Sequence, residues 1–429
     1  MNSTHMLRKI DVIHLGDELL LGLRANTHLQ YLGRKFSQYG YTLSSDLVIR
    51  DHRDEILAAM AQVWPSTDLL ITTGGLGPTV DDITRQAIAS FLGLDLEFNE
   101  AVEETIRQRF SRMGREMHEN NLRQCYQLKG SEIMENPNGT APGLFLEHDG
   151  RYLAMLPGPP RELMPMVENQ LLPRLLKRGL IEEQRAFIQI RTCGIGESAL
   201  EAKLQPLVDA AEGVSVSFCV HSGVVDVRFA WQDAPAMERA KTSAEAAREQ
   251  LGDDFVGYGD FDMAKSIIAH LSTQGQRLAV AESCTGGMIA SALTDIPGAS
   301  KVFSGGIVAY TNEAKVLALG IPEDFVLQHD AVSAETAVAM ATAAAESLSS
   351  DYGLSTTGYA GPEGGNEQVP VGTVFIGYHS PYGAWSKRIH VNGDRSLIRQ
   401  RATVYALDLM RRKLRKYRQE EDAYRAQQG

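Results

Sequence analysis

Short, mostly apolar runs alternate with stretches of helical spacing over the first third of the chain. Residues 10–15 form such a run and stop at Gly16-Asp17-Glu18, the pattern of a strand buried on both faces. Residues 26–39 place Leu29, Leu32 and Phe36 at three- and four-residue intervals and end at Gly40, which predicts a helix with its stop signal. Residues 41–49 read as a strand, 54–63 as a helix, and 68–73 as a second buried strand running into glycine. Another strand, 152–156, ends at Pro157-Gly158-Pro159-Pro160 before a helix carrying Leu163, Met166 and Val167. This βαβαβ order predicts a three-layer domain around a mostly parallel sheet, with ligands bound beyond the C-terminal ends of the strands.

The pattern then changes. Residues 183–256 read strand, helix, strand, strand, helix, strand, a small α+β unit, and Gly257-Tyr258-Gly259-Asp260 marks the next joint. After it the α/β alternation returns. Helices are predicted over 261–271, from 288, over the Ala-rich 332–348 and over 396–414, with strands at 277–281, 352–357 and 371–378. The expected fold class is therefore α/β: two three-layer α/β domains with mostly parallel sheets, joined by a small α+β domain. The expected boundaries are 1–175, 176–258 and 259–429.

Composition narrows the function classes. The 429 residues exceed one ordinary core, and 43% hydrophobic with 22% charged residues is a globular balance. The net charge of −12 argues against a broad nucleic-acid or anionic-membrane footprint, while leaving room for a small anionic substrate held by a few N–H groups and a cation. The one dense basic run, Arg411, Arg412, Lys413, Arg415, Lys416 and Arg418, reads as the exposed face of the last helix. Four scattered cysteines without a C-x-x-C pair predict reduced thiols rather than a zinc ribbon or disulfide framework. No apolar run approaches the ~18 residues of a membrane span, and the first residues lack the apolar core of a signal peptide. A cytoplasmic chain without a membrane partner is expected.

Two motifs carry chemistry. The first, from Thr73-Gly74-Gly75-Leu76-Gly77-Pro78 to Asp81-Asp82-Ile83-Thr84, is a glycine-rich turn followed by two acids and a helix. Glycines admit a ligand close to the backbone, and successive N–H groups make an anion-binding concavity. Asp81 and Asp82 fit a divalent cation bridging to a phosphate, and equally fit acids favouring a helix N-terminus. The second is Ser283, between a buried strand and Thr285-Gly286-Gly287, where a hydroxyl at a strand-to-helix turn sits beside free N–H groups. That is the logic of a nucleophile, although a serine before a helix also serves as an N-cap. Cys284 competes with Ser283 on chemical grounds, since thiolates are the better nucleophiles.

The first motif resembles the molybdopterin-binding domains of the MoaB and MogA type, whose pattern is T-G-G-T-G with an acid a few residues on. In the form G-L-G-P-T-x-D-D-x-T it resembles the CinA family. Gly16-Asp17-Glu18-Leu19-Leu20-Leu21-Gly22, Asn138-Gly139-Thr140-Ala141-Pro142-Gly143 and Leu156-Pro157-Gly158-Pro159-Pro160-Arg161-Glu162 resemble the same family, so the likeness covers most of 8–170. It implies a nucleotide or pterin pocket and a metal-dependent ADP-ribose pyrophosphatase activity. Gly74, Gly75, Gly77, Asp81 and Asp82 would line its phosphate site, with a divalent metal (Mg, Mn or Co) on Asp81 and Asp82. Asp17 departs from the threonine of the family pattern G-T-E-I-L-L-G. The middle segment resembles the KH-like domain of CinA proteins. Its nearest match to an RNA-gripping GXXG loop, Gly194-Ile195-Gly196-Glu197, is acidic, so a structural or dimer-bridging role is expected and nucleic-acid binding is not.

The last segment resembles the CinA C-terminal domain over roughly 262–410. The likeness is carried by Glu282 to Gly287, Gly306 to Lys315, Ala331-Val332-Ser333, Gly361-Pro362-Glu363-Gly364-Gly365, Pro370 to Val374 and Gly393-Asp394-Arg395. This family is known as nicotinamide mononucleotide deamidase. The resemblance implies hydrolysis of nicotinamide mononucleotide to nicotinate mononucleotide and ammonia, in pyridine nucleotide recycling, without a metal or cofactor. Ser283 would be the nucleophile, since the family commonly reads E-S-x-T-G-G. Lys315 would be the proton acceptor, assisted by Tyr310, because burial can lower a lysine pKa enough for that task. His329 is the rival base; it precedes Asp330, where relatives more often carry glycine. Thr285, Gly286, Gly287, Thr357, Gly358, Gly361 and Arg399 would bind substrate, Arg399 at the phosphate, while Arg395 caps the closing helix. A homodimer is expected from the resemblance. The alternative reading is a non-catalytic adaptor in DNA uptake or repair, with a nucleotide- or pterin-binding N-terminal domain.

Overall fold

The computed structural model describes residues 6–182, 187–231 and 233–428, with side chains as far as Lys416. The chain divides into two compact units, Met1–Ala186 and Phe187–Gly429.

In the first unit the strands are β1 (Ile10–Leu15), β2 (Ser45–Ile49), β3 (Leu69–Thr73), β4 (Leu96–Phe98), β5 (Tyr126–Leu128), β6 (Glu132–Met134), β7 (Gly143–His148) and β8 (Arg151–Leu156). Six of them form one sheet in the order β2-β1-β3-β8-β7-β6, and β4 and β5 pair as a separate ribbon. The run β2-β1-β3-β8 is parallel, while β7 and β6 are antiparallel. Every residue of β1 and β3 is buried, because apolar clusters cover both faces of the sheet. Helix Thr27–Ser37 supplies Leu32 and Phe36 to one face; helix Arg53–Val63 supplies Ile56 and Met60 to the other. β1 and β3 end side by side, so their following glycine loops share one rim of the sheet.

The second unit holds two sheets. The first contains β9 (Phe187–Cys193), β10 (Val214–Val220), β11 (Val224–Trp231) and β12 (Phe255–Tyr258), antiparallel in the order β10-β11-β9-β12. With helices Glu197–Ala210 and Ala234–Leu251, the element order is the one expected from the sequence. The second contains β13 (Leu278–Glu282), β14 (Phe303–Val308), β15 (Tyr352–Gly358), β16 (Thr373–Ser380) and β17 (Gly383–His390), in the order β14-β13-β15-β16-β17. β14, β13 and β15 are parallel, and the β16–β17 hairpin adds antiparallel edge strands. The Ala-rich helix Ala334–Ser347 presses onto this sheet at two glycines. A Cβ on Gly353 would stand 1.9 Å from the Ala341 carbonyl oxygen, and one on Gly377 2.0 Å from that of Ala337. Ser355 Oγ donates to the Ala337 carbonyl at 2.5 Å, which fixes the helix over β15.

The closing helix, Arg395–Gln428, corrects one expectation. Its basic run is not simply a solvated face. Arg411 is buried, and its guanidinium donates to Asp408 and to the carbonyls of Asp253 and Phe255. Arg412 donates to Asp408 and Asp254 and to the carbonyl of Cys193. Lys413 lies over the Trp385 ring, 4.3 Å from its centroid. The side chain of Arg418 falls outside the described residues. Asp408→Ala would leave two largely desolvated guanidinium groups short of their shared carboxylate. The expected cost is about 3–5 kcal/mol in urea unfolding, and a loss below about 1 kcal/mol would show that both find other acceptors.

Candidate functional site

The C-terminal site is built on the turn after β13. The Ser283 N–H donates to the Thr356 carbonyl at 2.9 Å, which hangs the turn from β15. Gly286 and Gly287 then take φ of 60° and 94°, a region that favours glycine, and redirect the chain into helix Met288–Thr294. Glu282, the buried last residue of β13, reaches past the turn to the start of that helix. Its carboxylate accepts from the N–H groups of Gly287 (2.9 Å), Ile289 (3.1 Å) and Ala290 (2.8 Å). Amides at a helix start need acceptors and favour negative charge, and Glu282 supplies both. Two expectations change as a result. Ser283 is not the cap of this helix, and these amides are not free for a ligand.

What Ser283 meets instead is Lys315. Its Oγ lies 3.5 Å from Lys315 Nζ and 3.5 Å from the Tyr310 carbonyl oxygen. Ser283 is 7% exposed and Lys315 2%. Lys315 is carried on helix Asn312–Leu319, which Thr311 caps by accepting from the Ala314 N–H. Burial lowers the Lys315 pKa; Cys284 and Glu313 pull the other way, and Glu313 is exposed. The ammonium thus lacks a buried carboxylate to hold it charged. Cys284, the rival nucleophile, packs in the apolar core, and burial pushes its thiol up to about 12. It stays a thiol at neutral pH.

The remaining expected residues divide. The Tyr310 phenol is exposed and accepts from Arg395 Nη2 at 2.5 Å, so its carbonyl rather than its hydroxyl faces Ser283. Arg395 also donates to the Gly361 carbonyl at 2.7 Å and does not cap the closing helix; Asp394 does, accepting from the Leu397 N–H. Arg399 donates to the carbonyls of Cys284 and Thr285 at 3.0 Å each, and so clamps the turn that carries Ser283. Thr285 and Thr356 share a hydroxyl hydrogen bond of 2.6 Å, and the Thr357 hydroxyl donates to the Ala331 carbonyl at 2.5 Å. Gly358 ends β15, where a Cβ would meet the Thr373 carbonyl at 2.6 Å. His329 ends helix Glu323–His329 with its ring against Phe325, centroids 4.5 Å apart. The structure brings Lys315, not His329, to Ser283.

Asp330 follows with φ 64° and ψ 150°, a conformation nearly confined to glycine. Its backbone carbonyl accepts from the hydroxyls of Thr336 and Ser333, bonds that any residue there would keep. Asp330→Gly relieves strain of about 1–3 kcal/mol. It adds about 0.5–1 kcal/mol of chain entropy to lose on folding. A net gain of roughly 1 kcal/mol, a rise of a few degrees in Tm, is expected; a lower Tm would mean the aspartate makes a compensating bond.

In the first unit the glycine loops at the ends of β1 and β3 enclose a cavity of about 440 Å³. Gly74, Gly75, Gly77, Asp81 and Asp82 all line it, as does Asp51, which the sequence reading missed. Burial and the nearby Glu18 and Asp17 raise the Asp51 carboxyl to about 6. Asp82 closes the glycine turn on itself. Its Oδ1 accepts from the Gly77 N–H at 2.8 Å, and its Oδ2 from the Thr79 N–H at 2.8 Å and the Thr79 hydroxyl at 2.5 Å. Asp81 is exposed. A metal on the Asp81–Asp82 pair would have to share Asp82 with the loop that both of its oxygens hold. Among the described residues no group of three or more His, Cys, Asp or Glu is placed to hold a metal ion. Two other motif stretches meet at the cavity rim, where Asn136 donates to Glu162 and Asn138 to the Arg161 carbonyl. No helix of the described residues is long and apolar enough to cross a membrane.

Comparison with known proteins gives three family matches. Residues 11–177 match a probable molybdopterin binding domain, 189–257 the damage-inducible protein CinA KH domain, and 260–414 the CinA C-terminal domain. A protein of Caldanaerobacter subterraneus subsp. tengcongensis, whose name ties it to competence-damage induction, is 40% identical over 406 residues, 94% of this chain and 98% of its own. A CinA-like protein of Dictyoglomus turgidum is 37% identical over 412 residues, 95% of this chain and 99% of its own. Among solved structures, the CinA protein of Thermoplasma acidophilum, described as of unknown function, is 29% identical with a TM-score of 0.37, covering 41% of this chain and 100% of that one.

Proposed function

The chain belongs to the CinA family, and from that premise we propose that its C-terminal domain is a Ser–Lys amidohydrolase converting nicotinamide mononucleotide to nicotinate mononucleotide and ammonia. The observation that carries this reading is the buried contact of Ser283 with Lys315. Neutral Lys315 takes the Ser283 proton as Oγ attacks the carboxamide carbon, and the carbonyl electrons move to oxygen. The N–H groups of Cys284 and Thr285, in the turn held by Arg399, are the donors for that oxyanion, as the residue after the nucleophile is in other strand-to-helix turns. Collapse breaks the C–N bond, and Lys315 returns its proton to the departing nitrogen, which leaves as ammonia. Water, deprotonated by Lys315 in turn, cleaves the ester and frees Ser283. Arg395, at the exposed rim with Tyr310 and Gly361, is the cation for the phosphate; Arg399 is occupied with the turn.

Release of ammonia from nicotinamide mononucleotide by the purified chain, and its dependence on Ser283, is the test. If none is released, the non-catalytic adaptor reading takes its place. For the N-terminal cavity the reading is a site for a phosphorylated nucleotide or pterin, with the glycine turn as its anion cradle. Asp82→Ala removes three charge-assisted hydrogen bonds from that turn. It is expected to weaken ADP-ribose binding roughly tenfold or more in calorimetry, and equal affinity would reject the role given to the turn. Turnover of ADP-ribose with and without Mg, Mn or Co decides whether this site also hydrolyses.

A further inference from the structure

Four polar side chains are threaded through the first unit beside its cavity. The register of β1 on β3 sets His14 against Thr73, and Asp46 comes from the adjoining β2. Asp46 Oδ1 lies 2.6 Å from His14 Nε2; Thr73 Oγ1 lies 2.8 Å from His14 Nδ1 and 3.3 Å from His28 Nδ1. His14 and Thr73 are buried, and Thr73 and His28 line the cavity. The proposed amidohydrolase uses none of the four.

One pattern of donors and acceptors satisfies every contact with both imidazoles neutral. The Asp46 carboxylate only accepts, so His14 Nε2 carries a proton. In a neutral His14 the Nδ1 is then bare and accepts from the Thr73 hydroxyl. Thr73 has only lone pairs left, so His28 Nδ1 donates to it, and His28 Nε2 is bare. A proton arriving at that Nε2 is passed inward. The new Nε2–H bond forms, the Nδ1 proton moves to Thr73 Oγ1, and the Thr73 hydroxyl proton moves to His14 Nδ1. The charge ends as a His14 imidazolium against the Asp46 carboxylate, and His28 is neutral again.

We infer that Asp46, His14, Thr73 and His28 form a proton relay in which His28 is the general base that the N-terminal cavity presents to an O–H group, and the His14–Asp46 pair holds the charge. The inference rests on the cavity being a site for a phosphorylated ligand. The O–H group is water, which gives its proton to His28 as its oxygen bonds to phosphorus and the bond to the leaving oxygen breaks, that oxygen keeping the electron pair. His28 is suited to passing charge on. Burial and the neighbouring His14 lower its pKa, against a backbone hydrogen bond at Gly158 and the charge of Asp46. Besides His14 and Asp46, the titratable groups that share the cavity wall with it are Glu18, Arg24, Asp51, Asp81, Asp82 and Glu162.

The test follows the imidazole nitrogens of the full chain, labelled with ¹⁵N-histidine, by NMR from pH 8 to pH 5. In the native protein the proton taken up is expected on His14 Nδ1, with His28 keeping one bare nitrogen. Thr73→Val, which keeps shape and removes the hydroxyl, moves the uptake to His28; Thr73→Ser restores the native pattern. The relay is overturned if His28 holds the charge in the native protein, or if Thr73→Val protonates at the same ring as the native chain. No ligand enters the measurement, so its outcome is independent of what the cavity binds.

Discussion

Ser283→Ala is expected to lower ammonia release from nicotinamide mononucleotide by roughly 10⁴-fold or more, the scale on which losing a serine nucleophile acts in other hydrolases. The fold should survive, because the turn is held by groups other than the hydroxyl: Glu282 on the helix amides, Arg399 on two carbonyls and the Thr356 carbonyl on the Ser283 N–H. An unchanged melting curve would therefore accompany the lost activity. Cys284→Ala is the matched control. Its thiol is in the core and protonated, so activity should stay within a few-fold while stability falls slightly. If Ser283→Ala kept a tenth of the activity, or if Cys284→Ala lost it, the nucleophile would be wrongly assigned.

Lys315→Met should separate activity from stability. Loss of the base is expected to cost roughly 10²- to 10⁴-fold in kcat/KM. Stability at neutral pH should rise, because folding no longer has to strip the proton from a buried lysine. The sign follows from the direction of the shift. Burial lowers the Lys315 pKa from 10.5, so the unfolded chain binds the proton more tightly. Stability is lost as pH falls through the folded pKa, and the penalty vanishes above the unfolded value. The gain in Tm of Lys315→Met should accordingly be full below the folded pKa and shrink to nothing above pH about 10.5. The native kcat/KM should climb with pH along a limb lying below the ordinary lysine range. A Lys315→Met protein no more stable than the native one at pH 7, or a limb at the usual lysine pKa, would show that the amine is not held neutral.

Burial decides which parts of this molecule could be read from its sequence. β1, β3 and β13 are covered on both faces, so they stand out as short, mostly apolar runs. β17 is an edge strand with Lys387 and Arg388 in it and exposed on most positions, so its sequence carries no such run. Whether Ser283 caps the following helix was undecidable on spacing, because the group that takes the helix amides, the Glu282 carboxylate, folds over the turn only in three dimensions. The network of Asp46, His14 and Thr73 joins positions 32 and 59 residues apart, beyond the reach of any local pattern. The basic run is different, since Asp408 stands three and four residues before Arg411 and Arg412, a spacing that already marks paired charges on one helix face.

The closing helix touches two places that matter. Arg399 grips the turn that carries Ser283, and Arg411 and Arg412 are anchored on the carbonyls of Phe255 in β12 and Cys193 at the end of β9. The step of twelve residues from Arg399 to Arg411 makes a rod of about 18 Å. That rod works as a strut. A force that tilts the small antiparallel sheet is delivered, through a stiff member with charged bolts at both ends, to the carbonyls beside Ser283. The turn that carries Ser283 therefore has a mechanical foundation in a neighbouring sheet.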